Sequence, residues 1–243
     1  MPALILAGGL GTRLRPIVDD KPKPMAGVNG KPFLEHQLAF LQRFGLSHFV
    51  LCVGYRRQQI QEYFKDGSPW GVRIDYAVEE QPLGTAGALK NAQAFVDGPF
   101  LVLNGDSFFD ADLHHLLRFH DKARQTERGY MGTIALTRVP DAEAYGTVHL
   151  EPQSSRIVKF AEKAASTARS AQSRYINAGI YVLEPDVLQR IPANEKVSIE
   201  RDVFPQLLND AQLYGCYLQG FFVDIGTPEG YREFQGYLKE QER

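Results

Sequence analysis

The first residues that could do chemistry form a glycine-rich loop behind a strand-like apolar run. Residues 7–13 read Ala-Gly-Gly-Leu-Gly-Thr-Arg, and such glycines let backbone N–H groups approach a phosphate chain closely. The dinucleotide fingerprint requires a glycine where Leu14 stands, and the segment lacks the Gly-Lys-Ser/Thr of a P-loop. Arg13 and Lys23 follow, and a guanidinium with an ammonium at this place favours a triphosphate. The alternative is a glycine turn with basic residues on the surface.

Two aspartates each follow a strand-like apolar run. Asp106 comes shortly after residues 100–103, and Asp224 comes directly after residues 221–223. Carboxylates at the carboxyl ends of strands face the crevice of an open α/β sheet. Because Mg2+ prefers oxygen ligands, we expect Asp106 and Asp224 to share one Mg2+ with substrate phosphates. The alternative is that either aspartate caps the helix that follows it.

The composition excludes several other classes of protein. The chain has 243 residues, of which 44% are apolar and 23% charged, so it can bury a sizeable core and is not disordered throughout. Its net charge of -2 lacks the basic excess of a general nucleic-acid binder. No apolar segment has the length of a membrane span, and the amino terminus lacks the basic region of a signal peptide. We therefore expect a cytoplasmic protein that binds neither nucleic acid nor membranes.

Cysteine and histidine give no additional site. Cys52 and Cys216 lie in strand-like runs and are too few for a disulfide framework or a cysteine zinc site, so we expect buried thiols. His114, His115 and His120 lie on one predicted helix, but the spacing of the last two does not align them on one face. We expect these histidines to face solvent.

The first half of the chain has the pattern of an α/β fold. The predicted strands are 3–7, 49–53, 72–78 and 100–103, and the predicted helices are 33–44, 58–64, 86–95 and 113–120. Pro32 near the start of the first helix and Gly45 after its end fit a helix with an N-terminal proline and a C-terminal glycine. Apolar strands that alternate with helices favour a Rossmann-like, doubly wound and mostly parallel sheet.

The second half has more strands and fewer helices between them. The predicted strands are 134–138, 147–150, 156–160, 176–183, 212–218 and 220–224, and a final helix runs from Pro228 to about Glu240. We expect antiparallel or mixed pairing here. Residues 161–174 are rich in Ala, Ser and Arg without apolar periodicity, which indicates a mobile loop. One α/β domain with a mixed sheet over residues 1–243 fits better than two independent domains.

Seven ordered sequence blocks closely resemble the signature of sugar-1-phosphate nucleotidylyltransferases. The blocks are residues 6–16 with 21–25 (Lys-Pro-Lys-Pro-Met), 81–87, 104–106, 145–146, 162–163, 177–179 and 224–228. They span nearly the whole chain. Residues 28–35 and 104–110 look most like the D-glycero-D-manno-heptose 1-phosphate guanylyltransferase branch. The resemblance implies a fold of the nucleotide-diphospho-sugar transferase type.

The resemblance also implies a reaction and a role for each matched residue. An oxygen of a sugar 1-phosphate attacks the α-phosphorus of an NTP, with Mg2+ as cofactor, and the products are an NDP-sugar and pyrophosphate. The implied nucleotide-binding residues are Ala7, Gly8, Gly9, Gly11, Thr12, Arg13, Gln81 and Gly84. The implied catalytic residues are Arg13 at the pyrophosphate, Lys23 at the α-phosphate, and the metal ligands Asp106 and Asp224. The implied sugar-phosphate residues are Gly146, Glu162, Lys163, Asn177 and Gly179, although Ala164 replaces a common proline.

The branch resemblance implies GTP and a heptose 1-phosphate as substrates. Residues of about 1–125 would then form a nucleotide-binding half, and residues of about 126–243 a sugar-binding half whose loop 161–174 closes over the sugar. Uridylyl, thymidylyl or mannose-1-phosphate guanylyl transfer stays open, as do a non-catalytic NDP-sugar-binding regulator and a homo-oligomer. A dehydrogenase is the third class considered, and the absent third glycine argues against it.

Overall fold

Nine strands of the described residues form one sheet with helices on both faces. The computed structural model describes residues 1–9, 21–140, 145–161 and 175–241. The strands are β1 (Ala3–Leu6), β2 (Gly27–Val28), β3 (Lys31–Pro32), β4 (His48–Val53), β5 (Arg73–Val78), β6 (Phe100–Asn104), β7 (Ser107–Ala111), β8 (Gly132–Thr137), β9 (Thr147–Leu150), β10 (Ile157–Ala161), β11 (Tyr175–Leu183), β12 (Leu213–Tyr217) and β13 (Gly220–Asp224). The helices are α1 (Phe33–Gln42), α2 (Arg57–Phe64), α3 (Gly84–Asn91), α4 (Leu113–Thr126), α5 (Phe204–Asn209) and α6 (Pro228–Gln241).

The pairing of the strands divides the sheet into a parallel part and a mixed part. β5, β4, β1 and β6 follow one another in parallel register, with β1 between β4 and β6. β11 then pairs antiparallel with β6 and with β8, and β12 pairs parallel with β8. The β9–β10 hairpin joins the start of β11. The prediction of a parallel first half and a mixed second half is therefore confirmed.

Both faces of the central strands are covered, which explains their continuous apolar sequences. In β4 every residue after His48 is buried. Phe49 and Leu51 pack into the core with α1, α2, α4 and α6, whereas Val50 and Cys52 pack into the opposite core with α3 and α5. This alternation is the doubly wound α/β arrangement that the sequence predicts.

The element boundaries differ from the predictions where local pattern is a poor guide. β7 was not predicted, because it forms only by pairing with β13, more than a hundred residues later. The segment 184–209 contains a 3-10 helix (Pro185–Arg190), a π-helical turn (Ile199–Val203) and α5, none of which was predicted. The predicted loop 161–174 lies outside the described residues, apart from Ala161 at the end of β10.

The prediction that all three histidines of α4 face solvent is wrong for His120. His114 and His115 are exposed, but His120 is 1% exposed, because α4 continues to Thr126 with a buried stripe that includes Leu116 and Ala123. Its imidazole bonds Glu184 Oε1 at 3.0 Å and the Tyr130 hydroxyl at 2.8 Å. Burial lowers the pKa of His120, although Glu184 acts in the opposite direction.

Both cysteines are buried strand residues, as predicted. Cys52 lies in β4 and Cys216 in β12, and burial raises the pKa of each thiol. Within the described ranges, no helix combines the length and the apolar character needed to cross a membrane.

Candidate active site

A cavity of about 550 Å³ opens where β1 and β6 end, at the carboxyl edge of the parallel strands. This is the edge where open α/β sheets bind ligands. The lining residues come from both halves of the chain: Leu6, Gly8, Gly9, Lys23, Pro24, Glu79, Pro82, Gly84, Thr85, Ala88, Asn104, Gly105, Asp106, Lys196 and Glu200. Of the described residues that were predicted to bind the nucleotide or to act in catalysis, Gly8, Gly9, Lys23, Gly84 and Asp106 line this cavity, whereas Ala7, Gln81 and Asp224 do not.

The two described glycines of the loop, Gly8 and Gly9, follow β1 in the chain after one intervening residue. The buried Ala7 keeps the strand in register with β4, because its N–H donates to Cys52 O at 2.8 Å. A Cβ on Gly8 would lie 2.3 Å from Glu79 Oε1, so a larger residue would displace that carboxylate. No described atom lies within 4 Å of a Cβ built on Gly9. The predicted residues Gly11, Thr12 and Arg13 lie outside the described part of the chain.

Lys23 and Asp106 form an ion pair on the cavity wall. Pro22 has an extended backbone and leads into a 3-10 turn (Lys23–Met25) that buries the lysine. Lys23 Nζ lies 2.7 Å from Asp106 Oδ2, and the two side chains are 9% and 32% exposed. A buried ammonium needs such a partner, since desolvation otherwise disfavours its charge. The structure thus brings together two residues that are far apart in sequence.

Asp224 lies beside Asp106 because β13 pairs with β7. In this register Asp224 is opposite Ser107, and the Ile225 N–H donates to Asp106 O at 2.9 Å. Asp224 Oδ1 also accepts the Gly226 N–H at 2.6 Å, which orients its carboxylate. Among the described residues, no three His, Cys, Asp or Glu side chains form a group able to hold a metal. Two aspartates on adjacent backbone segments still suit Mg2+, which usually takes one or two carboxylates together with substrate phosphates.

One end of the cavity carries a carboxylate that the sequence analysis did not select. Glu79 lines the cavity, and its Oε2 accepts the Leu83 N–H at 2.8 Å. Burial raises the pKa of Glu79, and the Leu83 bond opposes that shift. Gly84 lines the same end with a φ of +72°, and its missing Cβ lets Val197 O approach closely. The predicted Gln81 is exposed and is not among the lining residues.

The predicted sugar residues Asn177 and Gly179 lie on β11, next to the cavity residue Asn104 and to Tyr181. Asn177 Oδ1 accepts the Gly179 N–H at 2.8 Å, and Asn177 Nδ2 donates to the Tyr181 hydroxyl at 3.0 Å. Gly179, with a φ of +73°, lets the cavity residue Asn104 pack against it. Asn177 and Gly179 therefore lie one side chain away from the cavity wall.

The remaining sugar predictions are only partly described. Gly146 is half-buried and follows Tyr145, whose ring packs edge-on against Phe222, two residues before Asp224. The predicted Glu162 and Lys163 lie outside the described residues.

Glu200 is a second cavity carboxylate that the sequence analysis did not select. It accepts the hydroxyls of Thr85 and Ser198 at 3.0 Å each, and the Tyr181 hydroxyl at 3.3 Å. Its position depends on the π-helical turn of residues 199–203, for which the sequence has no periodic signal. The exposed Lys196 lines the cavity beside it.

Comparison with known proteins identifies the family to which the chain belongs. The family model described as nucleotidyl transferase matches residues 2–241. The chain belongs to this family. It is 39% identical to a D-glycero-alpha-D-manno-heptose 1-phosphate guanylyltransferase of Campylobacter jejuni, over 96% of this chain and 98% of the relative. It is 40% identical to a mannose-1-phosphate guanylyltransferase of Mycobacterium tuberculosis, over 94% of this chain but only 62% of that protein.

A solved structure supports the same fold assignment. HddC from Yersinia pseudotuberculosis complexed with GMP-PN superposes with a TM-score of 0.79 at 29% identity, covering 98% of this chain and 99% of HddC. The predicted family, the Rossmann-like mixed sheet and the enzyme class are therefore confirmed. Because the chain belongs to the nucleotidyl transferase family, the alternative of a dehydrogenase is excluded.

Proposed function

We propose that this nucleotidyl transferase moves a guanylyl group from GTP to a heptose 1-phosphate. An oxygen of the sugar phosphate attacks the α-phosphorus, the bond to the β-phosphate oxygen breaks, and GDP-heptose and pyrophosphate form. The Campylobacter relative and HddC support this choice, since both align with this chain over almost their whole length. Such transfer depends on positioning and charge neutralisation more than on a covalent intermediate.

The observation that carries the proposal is the Lys23–Asp106 pair on the wall of an open cavity, with Asp224 on the strand that pairs next to Asp106. In the proposal the Lys23 ammonium neutralises the α-phosphate, while Asp106 and Asp224 hold Mg2+. When bound, Mg2+ supplies positive charge to the phosphate oxygens around the reacting phosphorus. Gly8 and Gly9 would support the nucleotide, together with Gly11 and Thr12, and Arg13 would bind the departing pyrophosphate.

The Glu79 carboxylate is our candidate for selecting the base. Guanine presents two neighbouring N–H donors on its Watson–Crick edge, and an ionised carboxylate accepts hydrogen bonds at both oxygens. Adenine presents an acceptor next to its amino group, which a carboxylate would repel. Glu79 lies inside the cavity next to Gly8, whereas Gln81 is exposed. A contact between Gln81 and the base therefore remains a prediction. Glu79 is the residue that we test first for selection of the base.

The sugar 1-phosphate would lie toward β11 and α5. Asn177 and Gly179 would contact sugar hydroxyls with Gly146 and Glu162, and Lys163 would hold the sugar phosphate. This assignment makes residues of about 126–243 the sugar-binding half and residues of about 1–125 the nucleotide-binding half. A cytoplasmic location and a homo-oligomer also stay predictions.

A matrix of nucleotides and sugars tests the proposal directly. GTP, ATP, UTP and dTTP are each combined with heptose, mannose and glucose 1-phosphates, and pyrophosphate release is measured. We expect the highest kcat/KM with GTP and the heptose 1-phosphate. Higher values with UTP or dTTP for every sugar would reject guanylyl transfer, and no release with any pair would favour an NDP-sugar-binding regulator. Mannose 1-phosphate is the second candidate, because the mycobacterial relative is equally similar in sequence.

The base assignment has its own test in a pair of neighbouring glutamates. Glu79→Gln should lower kcat/KM for GTP by roughly ten- to a hundredfold, because a charge-assisted hydrogen bond is lost. Glu80→Gln is the matched control, since Glu80 is exposed and bonds only Arg57 among the described contacts.

The raised pKa of Glu79 adds a pH dependence. Its ionised form must accept the guanine donors, so KM for GTP should rise as the pH falls through this raised pKa. The dependence should vanish in Glu79→Gln and persist in Glu80→Gln. Equal behaviour of the two variants would remove Glu79 from the base site.

A further inference from the structure

Gln37 is a buried amide on α1 that does not line the cavity. Its side chain is 1% exposed, and Nε2 donates to Asn104 O at 2.9 Å and to Ser107 O at 2.9 Å. Carbonyl oxygens only accept hydrogen bonds, so these partners fix which end of the amide carries the nitrogen. One side chain thus uses both of its N–H groups on two backbone carbonyls.

The two carbonyls are the ends of the turn that carries Asp106. Asn104 ends β6 and Ser107 begins β7. On its other sides the turn touches Leu6, whose O would lie 2.1 Å from a Cβ on Gly105, and Ile225, whose N–H donates to Asp106 O. Gln37 therefore holds the turn at both of its ends without lining the cavity.

Only one end of the Gln37 amide is used for hydrogen bonds within the described residues. Gln37 Oε1 is buried without a hydrogen-bond partner among the described residues. Its surroundings on α1 are apolar, with Phe33 and Phe40 packed against Phe108. A buried acceptor without a partner costs free energy, so the contribution of this amide lies in the two hydrogen bonds that Nε2 donates to the turn.

The same helix also supports the lysine of the ion pair. The Phe33 N–H at the start of α1 donates to Ala26 O at 2.8 Å, and Ala26 directly follows the turn Lys23–Met25. α1 is thus bonded to the segments that carry both partners, Lys23 and Asp106.

We propose that Gln37 is a positioning residue for nucleotidyl transfer. Its two hydrogen bonds fix the turn of residues 104–107, and the turn in turn holds the Asp106 carboxylate at the Lys23 ammonium and next to Asp224. This inference rests on the proposed function of that carboxylate. Gln37 itself touches neither the cavity nor any reacting group, so its effect must pass through Asp106.

A matched pair of glutamines on α1 provides the test. Gln42 Nε2 donates to one backbone carbonyl, Trp70 O at 2.9 Å, but Trp70 lies between α2 and β5 rather than in the turn of residues 104–107, and neither residue lines the cavity. Gln37→Met should lower kcat by roughly ten- to a hundredfold with little change in KM for the nucleotide, since misplacement by about 1 Å has that effect. Gln42→Met should retain the wild-type kcat. Equal kcat values for the two variants would overturn the proposal.

Two further measurements separate positioning from general loss of structure. In an Asp106→Asn background, Gln37→Met should add less than a twofold loss, because the group that it positions is already disabled. Multiplicative losses would reject the proposal. Gln37→Glu keeps the size of the side chain and removes at least one of the two donors, so it serves if the Met variant does not fold.

Amide hydrogen exchange gives a readout that does not need activity. Residues 105–107 should exchange faster in Gln37→Met or Gln37→Glu than in Gln42→Met, in the full-length protein without substrates. Unchanged exchange would overturn the positioning role even in an active enzyme. Wild-type protein that releases no pyrophosphate would instead reject the proposed function, so the two failures are distinguishable.

Discussion

The two edges of the sheet both carry buried polar side chains, but they use them differently. At the edge where β11 ends, the imidazole nitrogens of His120 both have partners, Glu184 and Tyr130, and Tyr130 also bonds Thr133. At the opposite edge, Lys23 and Asp106 lie on an open cavity, and Oδ1 of the lining residue Asn104 lacks a partner among the described residues.

The contrast indicates what each edge is for. A closed polar network adds stability because each buried group is satisfied within the protein. Polar groups around an open cavity instead keep donors and acceptors for a ligand, and the fold carries their desolvation cost. Substitutions at the cavity edge should therefore affect rate before stability, and substitutions at the closed edge should do the reverse.

The largest effect should come from the carboxylate pair at the cavity. Asp106→Asn and Asp224→Asn each keep size and remove a negative charge, so each should reduce kcat by roughly a hundred- to a thousandfold, or about 2.7–4 kcal/mol. The double variant should lose much less than the product of the two, because groups that act through one ion are not additive. Steady-state kinetics with and without EDTA measure both effects.

Asp110 is the matched control for this pair. It lies in β7, in the same two-stranded sheet, but its carboxylate bonds Tyr237 and Arg43 outside the cavity lining. Asp110→Asn should retain the wild-type kcat. Multiplicative losses in the Asp106 and Asp224 variants, together with activity that survives EDTA, would show that the two residues share no metal.

A smaller effect on rate, accompanied by a loss of stability, should come from Gly105, which lines the cavity and also packs against β1. A Cβ at this position would lie 2.1 Å from Leu6 O and 2.9 Å from Leu6 C, both backbone atoms of β1. Gly105→Ala should therefore separate β1 from the Asp106 turn and lower the free energy of unfolding by about 1–3 kcal/mol.

Gly9→Ala sharpens this prediction, since no described atom lies within 4 Å of its added Cβ. It should keep the wild-type unfolding midpoint in urea and raise KM for the nucleotide, if Gly9 lies under the phosphates. A large stability loss in Gly9→Ala, or none in Gly105→Ala, would contradict the close approach that the structure describes.

The parts of the fold that sequence predicts are those with local apolar patterns. β1, β4, β5 and β6 are short apolar runs with amphipathic helices between them, and their positions agree with the prediction. β7 and the π-helical turn at Ile199–Val203 have no such pattern, because their conformation depends on contacts with distant segments. The sequence blocks supply Lys23, Asp106 and Asp224, but not the strand register that makes the aspartates neighbours.

Glu79 shows why the residues that line the cavity could not all be predicted from the sequence. It stands in a Glu-Glu-Gln run, where polar residues usually indicate an exposed loop. Only the fold distinguishes the two glutamates, since Glu79 lines the cavity beside Gly8 while the Glu80 side chain is 79% exposed. Selection of Gln81 followed from the sequence blocks, which carry no information on burial.

The smallest effect tests the closed edge, and it should appear in stability rather than in rate. Burial lowers the pKa of His120 below its ordinary value of 6.5, so the unfolded chain binds a proton that the folded chain does not. The contribution of His120 to stability is therefore present above pH 6.5 and is lost as the pH falls through its lowered folded-state pKa. His120→Phe should reduce the free energy of unfolding at pH 7 by about 1–2 kcal/mol, since Glu184 and Tyr130 lose a partner.

Urea unfolding at pH 7 and pH 5, with turnover measured alongside, checks this prediction. The acid-induced loss of stability should be smaller in His120→Phe than in the wild-type protein, while kcat at pH 7 stays unchanged because the network does not line the cavity. His115→Phe is the control, as His115 is exposed on the same helix and should leave both quantities as they are. A fall in kcat without a fall in stability would mean that this edge is coupled to the cavity. The division between a stabilising edge and a reactive edge would then be wrong.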